Sequence, residues 1–258
     1  MTIFRSMAML LCAVALTACD KNAVQDITSA LPGARVKFFN FGVGAPAVNF
    51  YANDAKMTAI LSATGAEATT GVGSGATGGG GNGFYSAIAP GAYTLSGRIS
   101  ATVDKDLVIA SVPATLEDGK AYSMYISGLY NTTTKKAEAF YVEDPFIPNF
   151  DYNVAYVRFV NTIFNSSPMT LFVKDQTTGT ETAIGGPIAY KAASAFVAVP
   201  NGTYTLRARA TGATTDAITR VDVGLIAGRV HTIGARGDIT VTSTTAATRP
   251  QLDNTTNR

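Results

Sequence analysis

The 258 residues hold 20 Lys and Arg against 18 Asp and Glu, and no basic patch stands out along the chain, which argues against nucleic acid as a partner. Only 15% of residues are charged, and the abundance of Thr, Tyr, Phe and Val favours strands over helices. The length allows one large domain or two small ones.

Before Cys19 the only charged residue is Arg5, followed by an apolar run from Met7 to Ala18. As a helix that run would rise about 18 Å, short of the roughly 30 Å hydrocarbon core of a bilayer. A basic start, a short apolar middle and small residues at the end describe a secretory signal over residues 1–18. Leu16-Thr17-Ala18-Cys19 resembles a bacterial lipobox. The resemblance implies that the Cys19 thiol is acylated with diacylglycerol, that the chain is cut before it, and that the new amine is acylated in turn. Cys12 sits inside the apolar run and would leave with it, so no internal disulfide is expected. Two or three acyl chains give stable attachment, so the first partner expected is the lipid bilayer. The address is the bacterial cell envelope, facing the periplasm or the outside. The plainer alternative is an ordinary secretory signal cut near Ala18, with Cys19 a spare thiol.

After a short stalk, residues 19–33, the chain repeats itself. Ala34-Arg-Val-Lys-Phe-Phe-Asn40 reads like Ala155-Tyr-Val-Arg-Phe-Val-Asn161, with Lys37 on Arg158. Tyr85–Arg98 reads like Phe196–Arg209, placing Gly91-Ala92-Tyr93-Thr94-Leu95 on Gly202-Thr203-Tyr204-Thr205-Leu206. Glu117–Gly128 falls on Ile226–Gly237, with Tyr122 on His231. Three blocks in the same order at similar separations indicate a tandem duplication. Each block alternates with period 2, and Gly, Pro and Asn punctuate the runs. The pattern predicts an all-β protein of two tandem immunoglobulin-like antiparallel β-sandwiches, about seven strands in each. The boundaries fall at 34–143 and 153–242, and each copy holds a full set of alternating strands, so each is expected to fold alone. Residues 144–152 form the linker, whose Phe146, Ile147, Phe150 and Tyr152 are expected to pack between the domains. The Thr- and Asn-rich residues 243–258 read as a flexible tail.

Candidate sites follow the same order along the chain. Gly73-x-Gly75-x-x-Gly78 has the letters of a dinucleotide fingerprint, but no βαβ context surrounds it, and Gly71–Gly83 reads as a flexible loop, with a binding lip as the lesser reading. Asp104 and Asp106, at i and i+2, would suit a hard cation, yet the second copy lacks them, which favours a solvated turn. Glu117-Asp118 and Glu143-Asp144 read as turn residues. His231 is the one histidine; its register with Tyr122 turns it toward the core, and without a cysteine partner it makes a zinc site improbable. No catalytic residue, metal or cofactor is expected. Exposed tyrosines such as Tyr130, Tyr141 and Tyr152 would suit a glycan or envelope-protein ligand.

Ala34-x-Val36-Lys37-Phe38-x-Asn40, then Ala45-Pro46-Ala47-Val48-Asn49-Phe50-Tyr51, then Pro90-Gly91-x-Tyr93, resembles the family called domain of unknown function 4397. The resemblance covers both copies and is better in the first; the second has Ser167-Pro168-Met169-Thr170 where the first has Ala45-Pro46-Ala47-Val48. It implies tandem immunoglobulin-like sandwiches in an envelope lipoprotein and carries over no catalytic residue. The function expected is a non-catalytic, membrane-anchored protein presenting two sandwiches. A glycan- or protein-binding accessory module is the alternative.

Overall fold

The computed structural model describes residues 33–58, 70–78, 83–145 and 147–257. The signal segment and the stalk up to Pro32, Cys19 included, lie outside these. Every regular element in the described residues is a β-strand, as the period-2 alternation predicts.

The first copy contributes β1 (Ala34–Asn40), β2 (Val48–Ala52), β3 (Ala55–Lys56), β4 (Ala76–Thr77), β5 (Ser86–Ile88), β6 (Gly91–Ile99), β7 (Val108–Leu116), β8 (Ala121–Asn131) and β9 (Lys136–Glu143). The second contributes β10 (Val154–Asn161), β11 (Met169–Asp175), β12 (Glu181–Ile188), β13 (Ala192–Ala193), β14 (Val197–Pro200), β15 (Gly202–Ala210), β16 (Ile218–Leu225), β17 (Val230–Arg236) and β18 (Gln251–Thr256). The sheets match one for one. Order β4-β1-β8-β9, with β5 also on β1, corresponds to β13-β10-β17-β18, with β14 on β10. Order β3-β2-β6-β7 corresponds to β12-β11-β15-β16. The duplication is thus structural as well as sequential.

Within each copy the two sheets close on one core. In the first, Val36 and Phe38 of β1 meet Phe50, Leu95, Met124 and Ile126, and the Phe38 and Phe50 rings stack at 5.0 Å. In the second, Val157 and Phe159 meet Leu171, Leu206 and Ile233. The matched asparagines close one end of each sandwich. Both are fully buried. Asn40 Nδ2 donates to the Pro46 and Val72 carbonyls at 3.0 and 2.9 Å, and Asn161 Nδ2 donates to the Ile188 carbonyl at 3.1 Å. The matched tyrosines are equivalent too. Tyr93 and Tyr204 each donate to the carbonyl four residues upstream, Ala89 at 2.9 Å and Pro200 at 2.8 Å. Tyr204 is buried and Tyr93 half-buried.

Two all-β sandwiches stand as the sequence predicts, and three details differ. First, the pairing is not antiparallel throughout: β1 and β2 lie in opposite sheets, and β1–β8 and β10–β17 pair in parallel at the centre of theirs. Second, the tail is a strand. β18 pairs antiparallel with β17 along its length, because Leu252 is apolar enough to enter the core, so the second sandwich runs to the C-terminal residues rather than stopping at 242. Third, residues 70–78 of the Gly-rich stretch are not a free loop. Gly71 lies so close to the body that a Cβ would stand 2.4 Å from Ser100 Oγ, and Gly75 (φ +79°) turns the chain into β4. Beyond these, residues from Gly33 onward form one compact unit.

Tyr204→Ala in the full chain should cost about 3–5 kcal/mol in a urea melt, Tyr93→Ala clearly less, and Thr94→Ala no more than about 0.5. A chain ending at Thr242 should lose cooperative unfolding of the second sandwich, because it removes β18; a normal melt would show that β18 is dispensable.

Candidate functional site: the seam between the repeats

The alternation that sends Val36 and Phe38 into the core sends Lys37 and Phe39 to the other face of the same sheet. In a solitary sandwich that face meets water. Here it carries Phe39, Phe41, Tyr125 and Phe140, buried together with Val160 of the second copy. Phe39 stacks on Tyr125 at 4.4 Å, and Tyr125 on Phe140 at 5.1 Å. The central sheets of the two copies are therefore back to back, an apolar layer between them. The bulk is one-sided. Gly234 stands where Tyr125 stands in the first copy, and a Cβ there would be 2.9 Å from the Phe41 ring. Large side chains of one copy fill a hollow in the other.

Next to this layer lies a buried polar network that follows a local two-fold relation. Lys37 and Arg158, equivalent by alignment, are both at most 1% exposed, and each reaches the last strand of the other copy. Arg158 Nη1 donates to the Glu143 carbonyl at 2.8 Å; Lys37 Nζ donates to the Thr256 carbonyl at 2.7 Å. The register of β8 with β9 and of β17 with β18 makes Glu143 and Thr256 equivalent. Each cation also lies over the equivalent aromatic ring, Arg158 over Phe196 at 5.0 Å and Lys37 over Tyr85 at 4.5 Å.

The two-fold breaks at the carboxylate. Asp144 follows Glu143; its counterpart after Thr256 is Asn257. Asp144 pairs with Arg158 and accepts from Ser123 Oγ at 2.7 Å and from Tyr85 OH at 2.5 Å. Asn257 Nδ2 donates to Tyr85 OH at 2.9 Å, and Arg158 Nε donates to Thr232 Oγ1 at 2.9 Å. Two cations thus share one acid. Burial lowers the Lys37 ammonium to about 8, with Asp144 pulling it up and Arg158 pushing it further down. Burial also opposes the Arg158 charge, but Asp144, Tyr125 and Tyr85 together outweigh it and push the guanidinium pKa up. Burial, then the charge of Asp144, pushes the Tyr85 phenol far up. The arrangement clamps two sheets together, and Lys37 is the member that titrates within reach of physiological pH.

Two clefts open along one flank of the seam. One, of about 380 Å³, lies between Gly75–Thr77 and Arg220 with Asp253–Thr255. The other, of about 270 Å³, is lined by Lys37, Phe84, Tyr85, Arg229, Thr256 and Asn257. The opposite flank is filled. There Tyr190 reaches Ser127 Oγ at 2.9 Å and Lys191 pairs with Glu138, and burial pushes the Tyr190 phenol up to about 12. Gly75 and Lys191 are equivalent, since their N–H groups donate to the Asn40 and Asn161 carbonyls. Ser74 therefore stands where the second copy has Tyr190, and the smaller side chain leaves the larger cleft.

The residues singled out from the sequence are dispersed. His231 is buried, as its register with Tyr122 predicts. Its Nδ1 lies 3.0 Å from Asn254 Oδ1, and its Nε2 accepts from the Ile226 N–H, just as Tyr122 OH accepts from the Glu117 N–H; burial lowers its pKa. Asp104 pairs with Lys135 and Asp106 accepts from Tyr51 OH, so they do not converge. Among the described residues no three His, Cys, Asp or Glu side chains group to hold a metal. Tyr130 and Tyr141 lean against the core, and Tyr152 alone of the three stands out, at 66% exposure. Asp144, expected in a solvated turn, is instead buried and charge-paired, because β10 of the second copy covers it. Phe146 lies outside the described residues, and Phe150 packs on the Tyr152 and Tyr156 rings. The seam itself has a sequence signal: Phe39, Phe41 and Tyr125 are large and apolar on a face where alternation calls for polar residues.

No protein-family model matches the chain, and no curated protein matches it.

Asp144→Asn leaves Arg158 buried without its acid and should cost about 3–5 kcal/mol, whereas Arg158→Met with Asp144→Asn should cost less than the single change; urea melts of the three variants decide it. Lys37 predicts a pH effect. Its folded pKa of about 8 lies below the unfolded value, so the unfolded chain holds the extra proton above pH 8. The penalty is present in full below that pH and fades as pH rises toward 10.5. Stability relative to Lys37→Met should therefore rise from about pH 7 to about pH 9.5, and a constant difference would refute it.

Proposed function

We propose that the chain is a non-catalytic lipoprotein of the bacterial cell envelope, held to a membrane through acylated Cys19, and that its two sandwiches act as one rigid head rather than as two beads on a string. The observation that carries this reading is the seam. The buried Lys37, Asp144 and Arg158, with Tyr85 beside them, are occupied in holding the two copies together. A hinge at residues 144–152 would have to strip Asp144 from Arg158 and expose four aromatic rings, so the head moves as a unit. The resemblance to the domain of unknown function 4397 family supports the envelope address.

A second reading, a binding module for a glycan or an envelope protein, is favoured by the larger cleft, where Asp253, Asn254, Thr255 and Arg220 offer hydrogen-bonding groups at the junction of the two copies.

Changing Cys19→Ala tests the anchor. Expressed with its own leader in a bacterium and fractionated, the parent should stay with membranes after carbonate washing and the variant should be released. A variant retained as firmly as the parent would refute the lipid reading.

A further inference from the structure

Large apolar side chains stand exposed at several places on the head, Val103, Leu129 and Val221 among them, and two of them, Tyr152 and Ile226, lie at the end where the chain enters. Gly33 is held there: its N–H donates to Asp118 Oδ1 at 2.6 Å, and its carbonyl accepts from the Gly119 N–H at 3.0 Å. The 117–120 turn precedes β8; its counterpart, 226–229, precedes β17 and is tied to Val154 at the start of β10. The seam contacts from Lys37 to Thr256 and from Arg158 to Glu143 put these starts at one end of the stack. At this end Tyr152 is 66% and Ile226 46% exposed. A Cβ on Gly228 would lie 3.7 Å from the Tyr152 ring, so ring and turn are neighbours. Phe150 backs the Tyr152 ring at 4.9 Å.

We propose that this end is a membrane-contact surface, on which Tyr152 and Ile226, backed by Phe150, enter the interfacial layer of the bilayer that anchors the protein. The inference rests on the acylated Cys19 reading. Fourteen residues from Asp20 to Gly33 span at most about 50 Å, so the anchor keeps this end within that reach of the surface. Tethering makes docking intramolecular, and a weak contact is then enough. A tyrosine with an apolar ring and a polar tip suits the headgroup boundary. Charge does not drive the contact. Glu117, Asp118, Glu143 and Asp151 outnumber Arg35, Lys120 and Arg229 at this end, so the surface fits a zwitterionic interface rather than an anionic one.

The chain has no tryptophan, so single substitutions report position directly. Tyr152→Trp, Ile226→Trp and, at the far end of β8, Leu129→Trp would each be made in the acylated full-length protein. Each would be reconstituted in vesicles of phosphatidylcholine brominated in the upper acyl chain. Urea melts of all three confirm folding. Fluorescence at positions 152 and 226 should fall by about half, with a blue shift, while that at 129 is unchanged, and added phosphatidylglycerol should not deepen the effect. Vesicles that carry the protein on flotation without quenching at 152 and 226 would overturn the docking and leave the anchor standing. Equal quenching at 129, or quenching that requires phosphatidylglycerol, would also overturn it. Protein that fails to float with vesicles at all would overturn the anchor and the docking together.

Discussion

One buried ion pair, Arg158 with Asp144, fixes how the two halves of this protein meet. Removing two charges from water costs several kcal/mol each, and the mutual attraction repays that only when the remaining donors and acceptors are satisfied. Here they are: Thr232, the Glu143 carbonyl, Ser123 and Tyr85 take up the rest. The pair therefore adds little net stability but tolerates only one arrangement of the sheets. A shift of one residue in either would leave a buried guanidinium with nothing to bind.

The seam also records how a duplicated unit became a specific pair. Two identical faces related by a two-fold axis would place like side chains opposite each other. Divergence has removed that option. Tyr125 and Phe140 on the first copy face a surface that has Gly234 and Asp253 at the equivalent places. Two second copies would bury two Arg158 guanidiniums with no carboxylate, since Asn257 replaces Asp144. Two first copies would set the Tyr125 ring of one against the Phe41 ring of the other, in the space that Gly234 leaves open here. Steric and electrostatic mismatches of this kind act against the wrong pairing rather than for the right one.

The same broken symmetry shapes the surface. Where the second copy sends Tyr190 into the groove between the sheets, the first has Ser74 beside Gly75, and a polar cleft stays open. Where the copies agree, as in Asn40 and Asn161 or Tyr93 and Tyr204, the residues serve the fold. Among the features that differ between copies, those outside the seam, the cleft and the exposed Tyr152, are free to serve a ligand or a surface, whereas the shared motifs are not.

The sequence alone determined the strand content, the duplication, the paired core positions and the inward lean of His231, because these follow from period-2 alternation and from comparing one copy with the other. It also identified Cys19 as the candidate anchor, from local chemistry that needs no fold. Only the tertiary structure decided the rest. Alternation says which residues share a face but not what covers that face, so Asp144 reads as a turn residue and nothing in the sequence marks Lys37 and Arg158 as buried; two sheets back to back bury all three. The parallel pairing of β1 with β8 joins segments some 85 residues apart, a choice that local pattern does not encode. Residues 251–256 looked like a frayed tail because Thr and Asn are poor apolar markers; an open edge on β17, with Leu252 to bury, made them a strand.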